Sequence, residues 1–319
     1  MMDIKLLEGQ SQVSALFGVH LLDIVDQHPD LRVITADMSY IANLELFKSM
    51  HNEQFINVGI AEQNMIGMAA GMTSEGYQCV CLAQACFISM RCFEQVRQYM
   101  SYMGLPIILV GLSAGFGLQF MGNTHYAIED IALMRSIPGI TIFSPADAAE
   151  TVLAFNAALD LKKPCYIRLS GLNRNLLYKD DFSYNPTQAH ILKEGKDIAI
   201  LSTGSMVLSA LEAAECLERK LNVSVACVDC HCLAPLDVKV LTQHQKAKLL
   251  VTIEEHSIIG GLGSAVCEFA GEETGYPPVL KLGIKGYSVV GDYQYLLEQH
   301  RLTTPQIVED IETKYMSIV

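Results

Sequence analysis

Glu62 sits in the string Asn57-Val58-Gly59-Ile60-Ala61-Glu62-Gln63-Asn64-Met65, which reads as an apolar strand, a glycine turn and a carboxylate opening an apolar helix. Met65, Met68, Ala69 and Met72 recur at helical spacing, so that face is expected to be core. Glu62 is thereby presented at the carboxyl end of a strand, where open α/β sheets bind ligands. Apolar neighbours disfavour its charged form and the helix N-terminus favours it, and a carboxyl held between the two can trade a proton. The same position also suits a carboxylate that only offsets the helix dipole. Spacing alone leaves both readings open.

Four further residues could join such chemistry. Asp37 and Met38 follow the strand-like run Leu31–Thr35, in Thr35-Ala36-Asp37-Met38-Ser39, where an Asp can also be a simple turn former. Phe87 lies in an apolar stretch and by periodicity could equally be core. His125 closes Gly122-Asn123-Thr124-His125, and a lone His can be structural. Two other strings invite rejection. Cys227-Val228-Asp229-Cys230-His231 spells a haem-attachment pattern, but it falls in a buried-strand pattern with no export signal. No second Cys or His pair follows it at zinc spacing, so no metal ligands are assigned to this chain. Gly260-Gly261-Leu262-Gly263 lacks the third glycine of a dinucleotide fingerprint and reads better as close helix–strand packing.

The elements that must position these residues alternate along the chain. Strand-like runs at Leu31–Thr35, Phe55–Val58, Cys79–Leu82, Pro106–Leu112, Thr141–Phe143 and Cys165–Leu169 are separated by helical patterns, including Val13–Asp26, Ala61–Ser74, Ser89–Tyr102 and Ala146–Leu161. Leu172–Gln188 loses periodicity and gathers Asn, Asp, Tyr and Pro, as a linker would. The rhythm then restarts with Ile198–Ser202, Ser205–Lys220, Ser224–Val228, Leu249–Ile253 and Gly263–Ala270. The expectation is an α/β chain of two domains, residues 1–188 and 189–319, each a largely parallel sheet flanked by helices. With 319 residues, half of them hydrophobic and 18% charged, the chain can fill two cores. A mean hydropathy of +0.27 without an uninterrupted membrane-length run suggests apolar surface buried between subunits. The net charge of −13 argues against nucleic-acid or anionic-membrane partners. Ten cysteines and no export signal at Met1–Gln10 point to reduced thiols and a cytoplasmic protein.

Val58-Gly59-Ile60-Ala61-Glu62-Gln63-Asn64 resembles the pyrimidine-domain signature of transketolases. Further segments match in order: Arg91-Cys92-Phe93-Glu94-Gln95-Val96-Arg97, Leu105-Pro106-Ile107, Gly122-Asn123-Thr124-His125, Ile128 to Arg135, Ser144-Pro145-Ala146-Asp147, and Tyr166-Ile167-Arg168-Leu169. The resemblance is strong over about residues 10–175. It continues more weakly into the family's C-terminal domain through Pro235-Leu236-Asp237 and Glu254-Glu255-His256. It implies thiamine diphosphate as cofactor, with Glu62 on the aminopyrimidine ring, where it promotes ionisation of the cofactor. It further implies Phe87 stacked on that ring, Asp37 at the cofactor–substrate pocket, and His125 on the substrate. Gln84 and Met90 stand where the family has further aromatics, so a similar but altered cofactor pocket is expected.

The family's Gly-Asp-Gly motif, which holds the diphosphate and Mg²⁺, is missing; Gly291-Asp292 is followed by Tyr293. The resemblance therefore implies a partner subunit carrying that motif, in an α2β2 assembly that passes a two-carbon ketol or acyl unit from a donor ketone to an acceptor aldehyde. Positions that grip an acceptor phosphate in the family correspond here to Ser14, Ile41, Ser113 and Gly171, and a sugar-binding Asp corresponds to Met121. None offers the positive charge a phosphate needs, so a substrate other than a standard phosphosugar is expected. Phe116, Phe120 and Met121 make that loop apolar, and Arg168 and Arg174 could rebuild an anion site. Two rivals stay open at this point: an E1 β-type subunit of a 2-oxo-acid dehydrogenase, and a non-catalytic structural or regulatory subunit.

Overall fold

The computed structural model describes residues 13–170, 177–178 and 182–319. In chain order its strands are β1 (Leu31–Thr35), β2 (Phe55–Asn57), β3 (Gln78–Gln84), β4 (Ile108–Ala114), β5 (Thr141–Phe143) and β6 (Cys165–Ser170). They continue with β7 (His190–Lys193), β8 (Ile198–Ser202), β9 (Val225–Asp229), β10 (Cys232–Ala234), β11 (Leu249–Ser257) and β12 (Val279–Ile284). One sheet runs β10-β5-β6-β4-β3-β1-β2 and the other β12-β11-β8-β9-β7. All pairings are parallel except β10 with β5 and β7 with β9.

Central strands are buried along their whole length, β4 and β8 among them, because helices cover both faces. Strand alternation divides the first core in two. Val33, Val80 and Val110 face Phe17 of α1 (Val13–Ile24) and Phe155, whereas Ile34, Cys81 and Leu109 face Met65, Ile66 and Ala69 of α2 (Glu62–Ser74). The second of these cores runs on through Leu201, Val228 and Leu250, so the two sheets share one continuous apolar interior. The remaining long helices are α3 (Ala148–Leu161), α4 (Val207–Leu221), α5 (Leu262–Glu272) and α6 (Thr304–Met316).

Three features differ from the sequence pattern. The helix expected over Ser89–Tyr102 is instead two stretches of wider π-helical turn, Phe87–Arg91 and Val96–Tyr102, around a short α turn. Such turns tend to occur at functional sites. Next, β10 follows the second sheet's β9 in sequence yet pairs with β5, so the C-terminal half lends an edge strand to the first sheet. Finally, Phe116 does not make its loop apolar toward solvent. It is fully buried, edge-on to Tyr126 and stacked on His300 in the C-terminal core.

Polar contacts lock the halves together. Arg168 on β6 is buried; its Nε donates to Asp130 Oδ2 at 2.9 Å, and its Nη2 donates to the carbonyls of Ala127 and Glu255. Glu255 of β11 accepts from Phe116 N at 2.6 Å and Tyr293 Oη at 2.6 Å. Gly115 has φ +63°, and Glu255 occupies the space a Cβ would need there, so this approach requires glycine. Glu254 accepts from Leu262 N and Gly263 N at 2.8 Å each, which fills the N-terminus of α5 with a carboxylate. The Gly260–Gly263 run is thus a packing device rather than a phosphate cradle. Asp292, likewise, caps the helix Tyr293–Gln299 by accepting from Tyr295 N at 2.9 Å.

His256, fully buried on β11, has Nδ1 2.8 Å from the Ser257 carbonyl and Nε2 3.3 Å from Ala132 N. Burial lowers its pKa to about 4. The folded state therefore takes up this proton later than the unfolded chain, whose His titrates near 6.5. Its contribution to stability is complete above about pH 6.5 and is lost as pH falls toward 4. Urea midpoints measured across that window should fall less steeply for His256→Gln than for wild type. Superimposable slopes would remove His256 from the acid response.

Candidate active site

Glu62 opens α2 directly after the Gly59 turn, where φ is +73°. The residue is 3% exposed. Asp37 follows β1 with φ +60°, a conformation costly for any residue but glycine. Asn57, at the end of β2, holds it there: Asp37 N donates to Asn57 Oδ1 at 3.1 Å, and Asn57 Nδ2 donates to Asp37 Oδ1 at 3.2 Å. The same Asn57 Oδ1 accepts from Gly59 N at 2.9 Å, so one amide sets both turns.

These ends converge. Asp37, Met38, Glu62, Gln84, Phe87 and His125 line one cleft of about 190 Å³, together with Ala36 and Ile60. Met90 does not join them. The wide turn from Phe87 to Arg91 carries it to a neighbouring recess of about 250 Å³, where it stands 46% exposed beside Arg91, Asn123 and Tyr287. Phe87 is the wall between the two recesses. Its ring lies edge-on to His125, with centroids 5.3 Å apart, and His125 Nδ1 is 2.9 Å from Thr124 Oγ1. Gln84 Oε1 is buried without a hydrogen-bond partner. It is an acceptor awaiting a ligand N–H.

A larger recess of about 550 Å³ lies among Asp30, Gln78, Cys79 and Pro106, at the amino ends of β1, β3 and β4. Parallel sheets bind ligands at the opposite, carboxyl ends, where Asp37, Gln84 and Glu62 meet. The smaller cleft is therefore the candidate site.

Sequence patterning did not single out Arg91. Its Nη1 donates to both oxygens of Glu62, at 2.7 and 2.8 Å, and its guanidinium carbon lies 4.1 Å from the Phe87 ring centroid. The spacing of four residues between Phe87 and Arg91 was the available signal, although only a helical turn at that place makes it a contact. Arg91 is the one Lys or Arg among the residues lining either recess. It is spent on Glu62, so among the described residues no uncommitted Lys or Arg lines either recess.

The anion positions are equally bare. Ile41 is half-buried and apolar, Ser113 is 5% exposed, and Met121 lines neither recess. Arg168 cannot rebuild the site, since it is committed to Asp130 in the interior. Gly171, Arg174 and the side chain of Ser14 lie outside the described residues.

Residues 10–175 match the transketolase pyrimidine-binding domain and residues 187–307 the transketolase C-terminal domain. The chain belongs to the transketolase family, whose members use thiamine diphosphate. Within it, the chain is a C-terminal subunit of the split type, in which an N-terminal partner completes the enzyme. It is 34% identical to the 6-deoxy-6-sulfo-D-fructose transketolase subunit SqwH of Clostridium sp. (strain MSTE9), across 90% of this chain and 89% of that one. It is 33% identical to one of the subunits of the apulose-4-phosphate transketolase of Actinobacillus succinogenes, across 88% and 91%. A solved structure described as a split gene transketolase, inactive β4 tetramer, is 35% identical with a TM-score of 0.86, over 97% of this chain and 99% of that one.

Proposed function

We propose that this chain supplies the catalytic base and aromatic platform of a two-subunit, thiamine-diphosphate-dependent transketolase. One observation carries the reading: Glu62, Phe87, Gln84, Asp37 and His125 line one cleft at the strand ends, and among the described residues no free Lys or Arg joins them. The cleft is smaller than the 300–1,000 Å³ or so of a typical complete ligand site. It suits one ring of a cofactor whose anionic part is held elsewhere. The partner would bring the Gly-Asp-Gly motif and Mg²⁺, in an α2β2 assembly. Exposed Ile60, Met90, Phe120 and Tyr287 support a partner surface, with Ile60 in the cleft and Met90 and Tyr287 in the recess beside it. In domain terms, residues 1–188 carry this site and 189–319 brace it.

Bound thiamine diphosphate supplies the carbanion that this chemistry needs. The chain's own residues would do the rest. Glu62 would hold and pass a proton at its Oε atoms once Arg91 turns toward the open recess. Phe87 would offer a flat apolar face, and Gln84 Oε1 would accept an N–H at the ring's edge. His125, standing over Phe87, would steady negative charge developing on a substrate oxygen. Asp37 would meet the cofactor–substrate junction. In the reconstituted complex, Glu62→Gln should slow hydrogen–deuterium exchange at the thiazolium C2 by about 10²–10⁴-fold while leaving assembly intact. Unchanged exchange would take Glu62 out of this role.

The split itself is tested by calorimetry. The chain alone should show no binding on the order of micromolar with thiamine diphosphate and Mg²⁺, and binding should appear when the partner is added. Tight binding by the chain alone would overturn the division of labour.

We further propose a substrate outside the common pentose and tetrose phosphates. Ile41, Ser113 and Met121 offer no charge, and Arg168 is tied down. The relatives' names point to unusual sugars too. Each charged hydrogen bond to a phosphate is worth about 1.5–3 kcal/mol, so several losses would cost orders of magnitude in binding. In the two-subunit enzyme, kcat/KM for ribose 5-phosphate should not exceed that for unphosphorylated or more apolar aldehydes. A preference for ribose 5-phosphate of about a hundredfold or more would refute this assignment.

A further inference from the structure

Away from the cleft, four buried polar atoms that lack a hydrogen-bond partner among the described residues crowd together where the two sheets join. Glu150 stands in the first turn of α3, His190 opens β7, and His231 lies in the crossing from β9 to β10. Glu150 Oε1 is 3.4 Å from His231 Nδ1 and 3.7 Å from His190 Nε2, and the three atoms all lie within 4.8 Å of one another. Among the described residues none of the three has a hydrogen-bond partner, nor has Asp229 Oδ1 on β9. Glu150 and His231 are fully buried.

The far ends of the same groups are already committed. Glu150 Oε2 accepts from Ala146 N at 2.6 Å. His231 Nε2 lies 3.1 Å from the Asn185 carbonyl, so in a neutral ring it carries the proton and Nδ1 presents a lone pair. An acceptor thus faces an acceptor at 3.4 Å. A proton placed between the two carboxyl groups would serve those two atoms and leave the imidazole nitrogens unmet. A single cation meets the Glu150 oxygen and both imidazole nitrogens at once.

We infer that Glu150, His190 and His231 form a binding site for one divalent transition-metal ion of the zinc class, pinning α3 to the C-terminal half. Ligand atoms around a tetrahedral zinc ion at about 2.0–2.1 Å sit about 3.3 Å apart. The two distances from Glu150 Oε1 approach that spacing; the imidazoles lie stacked, 4.5 Å between centroids and 15° between planes, and turn out of that stack to close on the ion. Two imidazoles with a carboxylate suit zinc and its neighbours rather than Mg²⁺ or Ca²⁺. The Asn185 carbonyl behind His231 is the orienting partner that metal-bound imidazoles usually have. Tyr184 packs 4.9 Å from His231 and Phe182 4.5 Å from His190 between ring centroids, so the site is walled and structural in character. Of the Cys227-x-x-Cys230-His231 string, only the histidine takes part.

The test uses the full chain prepared without a histidine tag, stripped with a chelator and titrated with Co²⁺. One equivalent should produce a visible d–d absorption band of tetrahedral intensity, displaced by Zn²⁺. Glu150→Gln and His231→Gln should each lose the band, and the rise in Tm that Zn²⁺ gives the wild type should vanish in both. Cys230→Ser should keep it. A stripped wild type that takes up no stoichiometric Co²⁺ or Zn²⁺ would overturn the inference, whatever the folding of the variants. So would a band that survives in both Glu150→Gln and His231→Gln or disappears in Cys230→Ser.

Discussion

The buried pair of Arg168 and Asp130 is the constraint on which the rest of the structure depends. Asp130 Oδ2 accepts from both Arg168 Nε and Tyr166 Oη, while Arg168 reaches the carbonyls of Ala127 and Glu255. β6, the segment leading into Asp130 and β11 therefore meet on one guanidinium. A charge so deeply buried tolerates no loosening, because removing either partner strands the other at a cost of about 3–5 kcal/mol. The loop bearing His125 runs between Phe116, held by Glu255, and Ala127, held by Arg168. The C-terminal half thus does not merely sit beside the site; it fixes the loop that delivers the histidine.

The cleft is built on the opposite electrostatic logic. Its single guanidinium is partly exposed and can move, with a side chain 42% accessible beside a Glu62 side chain 4% accessible. Arg91 supplies the positive charge that the buried Glu62 carboxylate needs, and it rests on the Phe87 ring from the neighbouring recess. The chain can thereby keep the Glu62 carboxylate buried at the edge of the cleft.

Much of this was legible in the sequence. The Gly59 turn, the carboxylate after it and the apolar helix behind it follow from local spacing, and β1, β5 and β8 fall where their apolar runs begin and end. Short or amphipathic edge elements such as β7, β10 and β12 were not legible. They exist because a neighbouring strand offers unpaired backbone groups, and that neighbour is distant in sequence. Phe116 shows the same limit from the other side. An aromatic in a glycine-rich loop looks exposed until a second domain closes over it.

The sequence by itself determined the family, the two-sheet α/β plan and the carboxylate that opens α2 after the Gly59 turn, because period, glycine placement and a contiguous motif are local properties. Tertiary structure alone decided that Arg91 pairs with Glu62, that Arg168 is spent in the interior, and that Met90 leaves the cleft. It also brought Glu150 together with His190 and His231 across 40 and 81 positions of chain. The physical reason is common to all four. Charge pairing and burial act through space over a few ångströms, and only the folded chain says which side chains those ångströms join.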